Sequence, residues 1–332
     1  MVSSCTLGAQ ASSFIEATYT DTRAVVALSR GVSSGRPTPT AQAVSIIPHT
    51  PEDSMVGRIV GVDKLYPTKM QTPIVQIIQG DALHALATIP DQTAHLTFTS
   101  PPYYNARDYA HYPDYETYLE TIVAVVREIH RVTAEGRFFV LNTSPIIVPR
   151  EHRQDQSRRY AIPYDLHPRI CAVGFDFIDD ILWVKPTPAS KNRNAGFQQH
   201  RQPLTYKANP VAEYLMVYRK RTNRLIDWNL RQYPRECRDA SRVEMTVERE
   251  NVWYIPPAHD PVHPAVFPIE LARRIVALYS FIGDTVLDPF AGAGTVGCAA
   301  LELQRNAILI ERDPNYCRRA RERIAEVQFR MP

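Results

Sequence analysis

Residues 285–297 of the 332-residue chain run Thr-Val-Leu-Asp-Pro-Phe-Ala-Gly-Ala-Gly-Thr-Val-Gly. The β-branched start predicts a buried strand over residues 285–287, and the closely spaced glycines predict a tight turn. Thr295 then offers a cap for a helix that is predicted to run to Gln304. A strand, a glycine-rich turn and a helix in this order are the unit from which parallel α/β sheets are built.

The alternation of strands and helices continues over most of the chain. Short apolar, β-branched runs predict strands, and longer stretches with one apolar face at helical spacing predict helices. Seven strands are predicted, at residues 74–78, 96–99, 138–141, 177–184, 213–218, 285–287 and 307–310. Further helices are predicted at residues 82–89, 164–173 and 269–280, after a cap at Asp114, and from Pro314 onward. This order favours an α/β fold with a doubly wound, mainly parallel sheet.

Composition is typical of an ordinary globular protein. Charged residues make up 22% and hydrophobic residues 44% of the sequence, and no apolar run is long enough for a membrane span. The five cysteines are scattered, which favours free thiols over a zinc site or a disulfide framework. Residues 1–70 lack a steady period and are rich in Ser, Thr, Ala and Pro, so we expect a flexible extension, with Met55 as a candidate start.

Positive charge is concentrated in one segment. Between Lys185 and Arg242 the chain carries thirteen Lys or Arg against four Asp or Glu, although the net charge of the whole chain is only +3. A basic segment on an otherwise acidic body favours contact with a polyanion. A solvated basic loop would have the same composition, so charge alone leaves both interpretations open.

The glycine-rich turn has the features of a nucleoside-binding loop. Gly292 and Gly294 allow the backbone to approach a ligand closely, and the following helix presents its electropositive amino end. Glu311 follows the next predicted strand, where an acid can accept hydrogen bonds from both hydroxyls of a ribose. Residues 292–297 match the pattern G-x-G-x-x-G, which nicotinamide and S-adenosylmethionine enzymes share. The turn Asp288-Pro289-Phe290 and the short remainder of the chain after Glu311 disfavour the nicotinamide interpretation, because a full dinucleotide domain needs further strand–helix units.

A second motif, Ser100-Pro101-Pro102-Tyr103, lies at the carboxyl end of the predicted strand over residues 96–99. Ligands bind at this end of the strands in open α/β sheets. The prolines force the chain out of the sheet, and the Pro101 carbonyl and Ser100 hydroxyl offer two acceptors to the N–H groups of an aromatic amine. Tyr103 can stack on the ring that carries the amine. Ser100 has no neighbouring base and no Gly-x-Ser-x-Gly elbow, which argues against a serine nucleophile.

Together the two motifs resemble the amino-methyltransferases of DNA, specifically the β group, in which Ser/Asp-Pro-Pro-Tyr precedes Phe-x-Gly-x-Gly. The resemblance covers about residues 74–326. It implies a seven-stranded S-adenosyl-L-methionine-dependent methyltransferase sheet with a circularly permuted motif order. It assigns a catalytic set, Ser100, Pro101, Pro102 and Tyr103, and a cofactor-binding set, Asp81, Ala82, Phe267, Pro268, Asp288, Phe290, Gly292, Gly294 and Glu311.

Family members with Ser before Pro-Pro-Tyr usually methylate N4 of cytosine, whereas those with Asp usually methylate N6 of adenine. The resemblance therefore implies site-specific methyl transfer from S-adenosyl-L-methionine to cytosine N4 in double-stranded DNA, after the base has been flipped out of the duplex. The target-recognition region of the family usually lies where this chain has its basic segment. The residues expected to contact DNA are Lys185, Lys191, Arg193, Arg201 and Lys207.

The resemblance divides the chain into four regions. They are a flexible extension over 1–70, a catalytic half over 71–185, a basic target-recognition region with one sheet strand over 186–258, and a cofactor-binding half over 259–332. The family most often implies a restriction-modification role in the cytoplasm of a bacterium or archaeon, at the nucleoid. A cognate restriction endonuclease and a homodimer are open expectations.

Other functions stay open at this point. The nearest is a DNA adenine-N6 methyltransferase, followed by an NAD-dependent oxidoreductase and a DNA-binding protein without activity. Methylation of a glutamine side chain in a protein also uses a Pro-Pro-Tyr motif. That family usually has Asn before the prolines and places the cofactor loop first, so both features count against it.

Overall fold

The computed structural model of the chain describes residues 72–104, 112–148, 158–186, 211–243, 249–262 and 266–331. The flexible extension predicted over residues 1–70 lies outside these ranges, as do residues 187–210 and 244–248 of the basic region predicted over 186–258.

Ten strands and eight helices follow one another within the described ranges. The strands are β1 (Val75–Gln79), β2 (Ala94–Thr99), β3 (Thr133–Thr143), β4 (Ile146–Val148), β5 (Arg158–Tyr160), β6 (Phe175–Val184), β7 (Ala212–Lys220), β8 (Val252–Tyr254), β9 (Thr285–Asp288) and β10 (Asn306–Glu311). The helices are α1 (Ala82–Leu86), α2 (Tyr115–Val132), α3 (Ile162–Val173), α4 (Ile226–Leu230), α5 (Arg235–Ala240), α6 (Ile269–Tyr279), α7 (Thr295–Glu302) and α8 (Pro314–Arg330).

One large sheet organises these elements, with the strand order β1-β10-β9-β2-β3-β7-β6-β8. Strand β7 is antiparallel to both of its neighbours, and the other adjacent pairs are parallel. The first seven strands of this order confirm the predicted doubly wound, mainly parallel fold. The short strand β8 adds an eighth at the edge; its three residues, Val-Trp-Tyr, are too few to show a period in the sequence.

Helices cover both faces of the sheet. The buried side chains of α1, α2 and α3 form one core with residues of one sheet face, and those of α6, α7 and α8 form a second core with the other face. Successive residues of a strand point to opposite faces, so β3 contributes Phe139 and Leu141 to the first core and Val140 to the second. The two cores therefore lie on opposite faces of the sheet.

Two predicted helix starts are confirmed and one is wrong. Asp114 caps α2 by accepting from Thr117 N, and Pro314 occupies the first turn of α8. Thr295 is the first helical residue of α7 and not its cap; that position belongs to Gly294, whose φ of +76° lies in the left-handed region. Helix α7 ends at Glu302 because Gln304 also has a positive φ, 63°. No helix within the described ranges is long and apolar enough to cross a membrane.

Candidate active site

The two sequence motifs leave adjacent strands at the same edge of the sheet. Strands β2 and β9 are parallel neighbours with Thr97 opposite Leu287, so both chains turn out of the sheet at its carboxyl edge. Thr99 Oγ1 donates a hydrogen bond to Asp288 Oδ1 at 2.6 Å, and both side chains are buried. The structure thus joins the residue before Ser100 directly to the first residue of the glycine-rich loop.

The Ser-Pro-Pro-Tyr motif lies partly inside the protein, with Pro101 buried and its three companions half-buried. Tyr103 donates its hydroxyl hydrogen to Glu213 Oε2 at 3.3 Å. Asn142 Nδ2 donates to the same carboxylate oxygen at 3.0 Å and lies 3.4 Å from Ser100 Oγ. Burial, followed by the negative charge of Glu213, raises the pKa of Tyr103 well above its usual range, so the Tyr103 hydroxyl stays protonated.

Lys185 belongs to this group of side chains. Its ammonium forms an ion pair with Glu213 and lies 4.5 Å from the centre of the Trp183 ring. Of the five basic residues expected to contact DNA, Lys185 alone lies within the described ranges, and the structure shows it paired with an acid. The other four, Lys191, Arg193, Arg201 and Lys207, lie outside the described residues.

The glycine-rich loop is organised by two carboxylates. Asp288 accepts from Phe290 N at 3.1 Å, and burial raises its pKa to about 7. Glu311, at the end of β10, accepts from Gly292 N and from Asp313 N, each at 2.8 Å. Burial also raises the pKa of Glu311 above its usual value. The loop therefore places two partly desolvated carboxylates beside its backbone.

Backbone conformation favours glycine at two positions of the loop, and packing adds a further constraint at one of them. Gly292 and Gly294 both have positive φ, at 50° and 76°. A Cβ at Gly294 would lie only 2.8 Å from Ala320 Cβ on α8. Packing against α8 is therefore sufficient to require glycine at position 294, in addition to any approach of a ligand.

The remaining cofactor candidates fall into two places. Asp81 follows β1 and caps α1 through Leu83 N at 3.0 Å, and Ala82 behind it is buried. Its neighbour Gly80 donates its N–H to the carbonyl of Glu311 at 2.9 Å, so Asp81 and the end of β10 are close. The other two candidates precede α6: the Phe267 ring lies 5.1 Å from that of Phe98, and Pro268 is buried at the helix start.

Sequence reasoning missed three polar residues that the structure places at this edge: Thr99, Asn142 and Glu213. Asn142 comes directly after the predicted strand over residues 138–141, and the carboxyl end of a parallel strand is a signal that could have identified it. In the sequence, Glu213 is one of four acids in the basic segment and the first residue of the predicted strand over residues 213–218, and neither feature indicates a site. Its position depends on β7 running antiparallel between β3 and β6, which local sequence does not encode.

Comparison with known proteins places the chain in a family. A model of the N6 and N4 methyltransferase family, described as DNA methylase, matches residues 94–322. The Type II methyltransferase M.ScaI of Streptomyces caespitosus is 28% identical over 256 residues, which cover 74% of this chain and 80% of M.ScaI. The Type II beta methyltransferase M.BslI of Bacillus sp. (strain NEB-606) is 27% identical over 262 residues, 75% of this chain but only 27% of that longer protein.

Solved structures show the same fold. TTHA0409 of Thermus thermophilus, complexed with S-adenosyl-L-methionine, has a TM-score of 0.63 and 31% identity, covering 76% of this chain and 94% of that one. The cytosine-N4-specific PvuII DNA methyltransferase has a TM-score of 0.59 over 78% of this chain and 93% of its own. Its identity is 18%, so this likeness concerns the fold alone.

The architecture is that of an S-adenosyl-L-methionine-dependent methyltransferase. The chain belongs to the DNA methylase family that modifies N6 or N4 amines, and the resemblance to restriction-modification methylases is confirmed. The family and the complex of the Thermus thermophilus protein support S-adenosyl-L-methionine as the cofactor.

The donor set of the site fits that cofactor. A carboxylate has about four lone-pair positions, and Glu311 accepts from the backbone N–H groups of Gly292, Arg312 and Asp313. A position is therefore left on this carboxylate for a ribose hydroxyl. The loop beside Glu311 ends at the amino terminus of α7, where a helix favours negatively charged groups such as a carboxylate.

Proposed function

We propose that the protein methylates N4 of cytosine at specific sites in double-stranded DNA. The observation that carries the proposal is the hydrogen bond between Thr99 and Asp288, which holds the amine-binding motif against the cofactor loop. Ser100 before Pro-Pro-Tyr supports cytosine, since family members with Ser at this position usually modify N4. The family model covers N6 and N4 enzymes alike, so adenine N6 is the second candidate.

The proposed chemistry depends mainly on alignment. S-adenosyl-L-methionine, when bound, supplies a methyl group that is already electrophilic. Ser100 Oγ and the Pro101 carbonyl accept the two N–H groups of the target amine, which turns the lone pair of its nitrogen out of conjugation with the ring. Tyr103 stacks on the base and, with its raised pKa, stays neutral. The amine proton becomes acidic only as the bond from nitrogen to the methyl carbon forms and the methyl–sulfur bond breaks. It can then pass to water, so orientation and proximity replace a strong base.

The proposed cofactor contacts lie on the glycine-rich loop and on the elements beside it. We assign Glu311 to the ribose hydroxyls and Asp81 to the adenine amino group. Phe290, Gly292 and the buried Asp288 line the cofactor. Four further residues support this wall: Ala82, Phe267, Pro268 and Gly294. Pro102 keeps the amine-binding motif out of the sheet.

The basic region is assigned to DNA. Its excess of positive charge would neutralise phosphates, and the proposed contacts are Lys185, Lys191, Arg193, Arg201 and Lys207. The target base is flipped into the pocket beside Ser100 and Tyr103. The Type II relatives support a cognate restriction endonuclease as partner, with the enzyme acting on nucleoid DNA in the cytoplasm of a bacterium or archaeon, and the family implies a homodimer.

Identification of the methylated base tests the proposal directly. Full-length protein is incubated with S-adenosyl-L-methionine and unmethylated bacteriophage DNA, which is then digested to nucleosides for mass spectrometry. We expect N4-methyl-2′-deoxycytidine. N6-methyl-2′-deoxyadenosine as the product would replace cytosine by the second candidate, and the absence of both would reject the proposed function.

Removal of the two proposed base contacts tests the site. In the double variant Ser100→Ala, Tyr103→Ala, we expect the methylation rate to fall by about 10²–10³-fold or more, the loss typical when one positioned polar group is removed from an active site. Cofactor affinity, measured by calorimetry, should stay within a factor of about three of wild type because both residues lie outside the cofactor loop. Full methylation by this variant would refute the assignment.

A further inference from the structure

Glu213 forms a polar network with the proposed amine-binding residue Ser100, and the mechanism above gives it no role. It lies near the amino end of β7, which is antiparallel and therefore starts at the sheet edge where β2 and β3 end. Its Oε2 accepts from Tyr103 and from Asn142, and its Oε1 faces the Lys185 ammonium. Glu213 is thus the common acceptor of this part of the site.

Ser100 poses a chemical problem that a carboxylate in its place would not. A hydroxyl both donates and accepts hydrogen bonds, whereas a target amine needs an acceptor. Unless something directs the hydroxyl hydrogen of Ser100 elsewhere, that hydrogen competes with the amine N–H groups for the space between the two heavy atoms. The surroundings of Ser100 must therefore set the direction of its hydrogen bonds.

The contacts around Ser100 supply that direction, starting from Glu213. A carboxylate paired with an ammonium only accepts, so Tyr103 must donate its hydrogen to Glu213 and its own oxygen is left as an acceptor. We assign the Ser100 hydrogen to this Tyr103 oxygen, since a hydrogen bond from Ser100 is one of the influences that lower the pKa of Tyr103. Asn142 Nδ2 lies 3.4 Å from Ser100 Oγ and offers it a donor. With its hydrogen directed to Tyr103, Ser100 presents a free lone pair to the amine.

The amide of Asn142 carries an independent sign of the same influence. Asn142 is only 2% exposed, and its Oδ1 has no hydrogen-bond partner in the part of the chain that the structure describes. A buried acceptor without a partner calls for an explanation. Because Glu213 only accepts, it holds the NH₂ end of the amide, and the Oδ1 end is left without a partner among the described residues.

We infer that Glu213 is a positioning residue, which sets the hydrogen-bond direction through Tyr103 and Asn142 so that Ser100 acts as an acceptor for the target amine. The inference rests on the proposed function, because it concerns the same pocket. It applies equally to cytosine N4 and adenine N6, since both amines present two N–H groups.

The test compares Glu213→Gln with Glu213→Asp in the full-length enzyme at saturating cofactor and DNA. Gln has nearly the same shape but adds donors, whereas Asp still only accepts. We expect Gln to lower kcat about ten- to hundredfold, with the KM for S-adenosyl-L-methionine changed less than about twofold, and Asp to recover a large part of the rate. Glu128→Gln, which removes the acid of the Glu128–Arg131 ion pair on α2, is the matched control and should keep the wild-type kcat.

A second background separates hydrogen-bond direction from mere support of the fold. In Ser100→Asp the amine acceptor is itself a carboxylate and needs no direction. We therefore expect Glu213→Gln to leave the rate of Ser100→Asp unchanged or to raise it, because the change also removes a like charge. Equal losses in the wild-type and Ser100→Asp backgrounds, or a wild-type kcat for Glu213→Gln, would overturn the inference.

One readout does not require turnover. In ¹⁵N-labelled protein, the side-chain amide resonances of Asn142 should shift and their hydrogen exchange should accelerate in Glu213→Gln but not in Glu128→Gln. Unchanged Asn142 resonances would also overturn the inference. The base found in wild-type product by mass spectrometry decides the proposed function separately, because that result does not involve Glu213.

Discussion

Two aspartates at opposite ends of strand β9 show how one residue type serves structure at one edge of the sheet and a site at the other. Asp284 precedes the strand and Asp288 ends it, and each is only 1% exposed. At the amino edge, Asp284 forms an ion pair with the buried Arg137 and accepts from Tyr233 Oη at 2.6 Å and from Phe281 N at 2.8 Å. The negative charge of Asp284 is therefore balanced by the positive charge of Arg137.

Asp288, at the carboxyl edge, has a different set of partners. Within the described residues it accepts only from uncharged donors, the Thr99 hydroxyl and Phe290 N, and it has no ion pair. Burial without a cation raises its pKa to about 7. Strongly perturbed carboxylates of this kind cluster at functional sites. The comparison teaches that burial alone does not distinguish the two roles, whereas the charge of the partners does.

The largest expected effect comes from removing the buried ion pair at the amino edge of the sheet. Arg137→Met leaves Asp284 as a buried carboxylate without its cation, and removing one partner of a buried pair typically costs about 3–5 kcal/mol. We expect a loss of that size in the free energy of unfolding, measured with urea. The methylation rate per folded molecule should stay at the wild-type value, because the change lies at the far edge of the sheet from Ser100.

The control for this change is a second substitution at the partner. In Arg137→Met, Asp284→Asn the unpaired charge is gone, so part of the lost stability should return. A loss below about 1 kcal/mol in the single variant, as for an exposed pair, would contradict the structural role of this edge.

The next prediction concerns the pH dependence of stability that the buried Asp288 causes. The pKa of Asp288 is raised in the folded state from an ordinary value of 3.8 to about 7. The folded protein therefore holds this proton more tightly than the unfolded chain does, and stability from the protonated form is lost as pH rises through about 7. Asp288→Asn cannot ionise and removes this dependence. Relative to the variant, we expect the wild type to lose about 3 kcal/mol between roughly pH 5 and pH 8, at 1.36 kcal/mol for each pKa unit.

Urea unfolding of both proteins without cofactor at the two pH values measures that difference. The same pH dependence of the free energy of unfolding in both proteins would contradict the description of Asp288 as a buried carboxylate that lacks a cation. Because Asp288 is also assigned to the cofactor wall, calorimetry should show weaker binding of S-adenosyl-L-methionine by the variant, by about tenfold, the loss of one hydrogen bond to a charged group.

The sequence predicted the carboxyl edge better than the amino edge, for a physical reason. Asp288 lies in a local pattern of strand, turn and glycines, and a local pattern carries its own signal. The pair of Arg137 and Asp284 joins positions 147 apart, and nothing near either residue shows that β3 and β9 lie two strands apart in the sheet. The contact of Thr99 with Asp288 spans 189 positions and was equally hidden, although both motifs were visible.

The same limit explains what was missed within the site. Ser100 and Tyr103 were predicted from their chemistry, but Glu213 reaches them only through the antiparallel placement of β7. The charge of its segment predicts that Lys185 contacts DNA. The structure shows an ion pair between Lys185 and Glu213, which composition does not reveal. Strand order thus determines which side chains meet, and strand order is a property of the whole chain.

The smallest expected effect compares two glycines on either side of β9. Gly283, at the amino edge, and Gly294, at the carboxyl edge, have similar positive φ values of 85° and 76°. A Cβ on Gly283 would meet nothing within 4 Å, whereas one on Gly294 would lie 2.8 Å from Ala320 Cβ. Alanine at either position bears the backbone strain, about 1–2 kcal/mol, but only Gly294→Ala adds overpacking of about 1–3 kcal/mol.

Urea unfolding should therefore give Gly294→Ala a lower free energy of unfolding than Gly283→Ala. The difference should be roughly the cost of overpacking alone, since the backbone strain is common to both variants. The double variant Gly294→Ala, Ala320→Gly removes the opposing Cβ and should recover part of the difference, less the cost of glycine within α8, about 1 kcal/mol. Equal losses in the two single variants would mean that α8 yields to the added methyl group, and that conformation alone requires glycine at position 294.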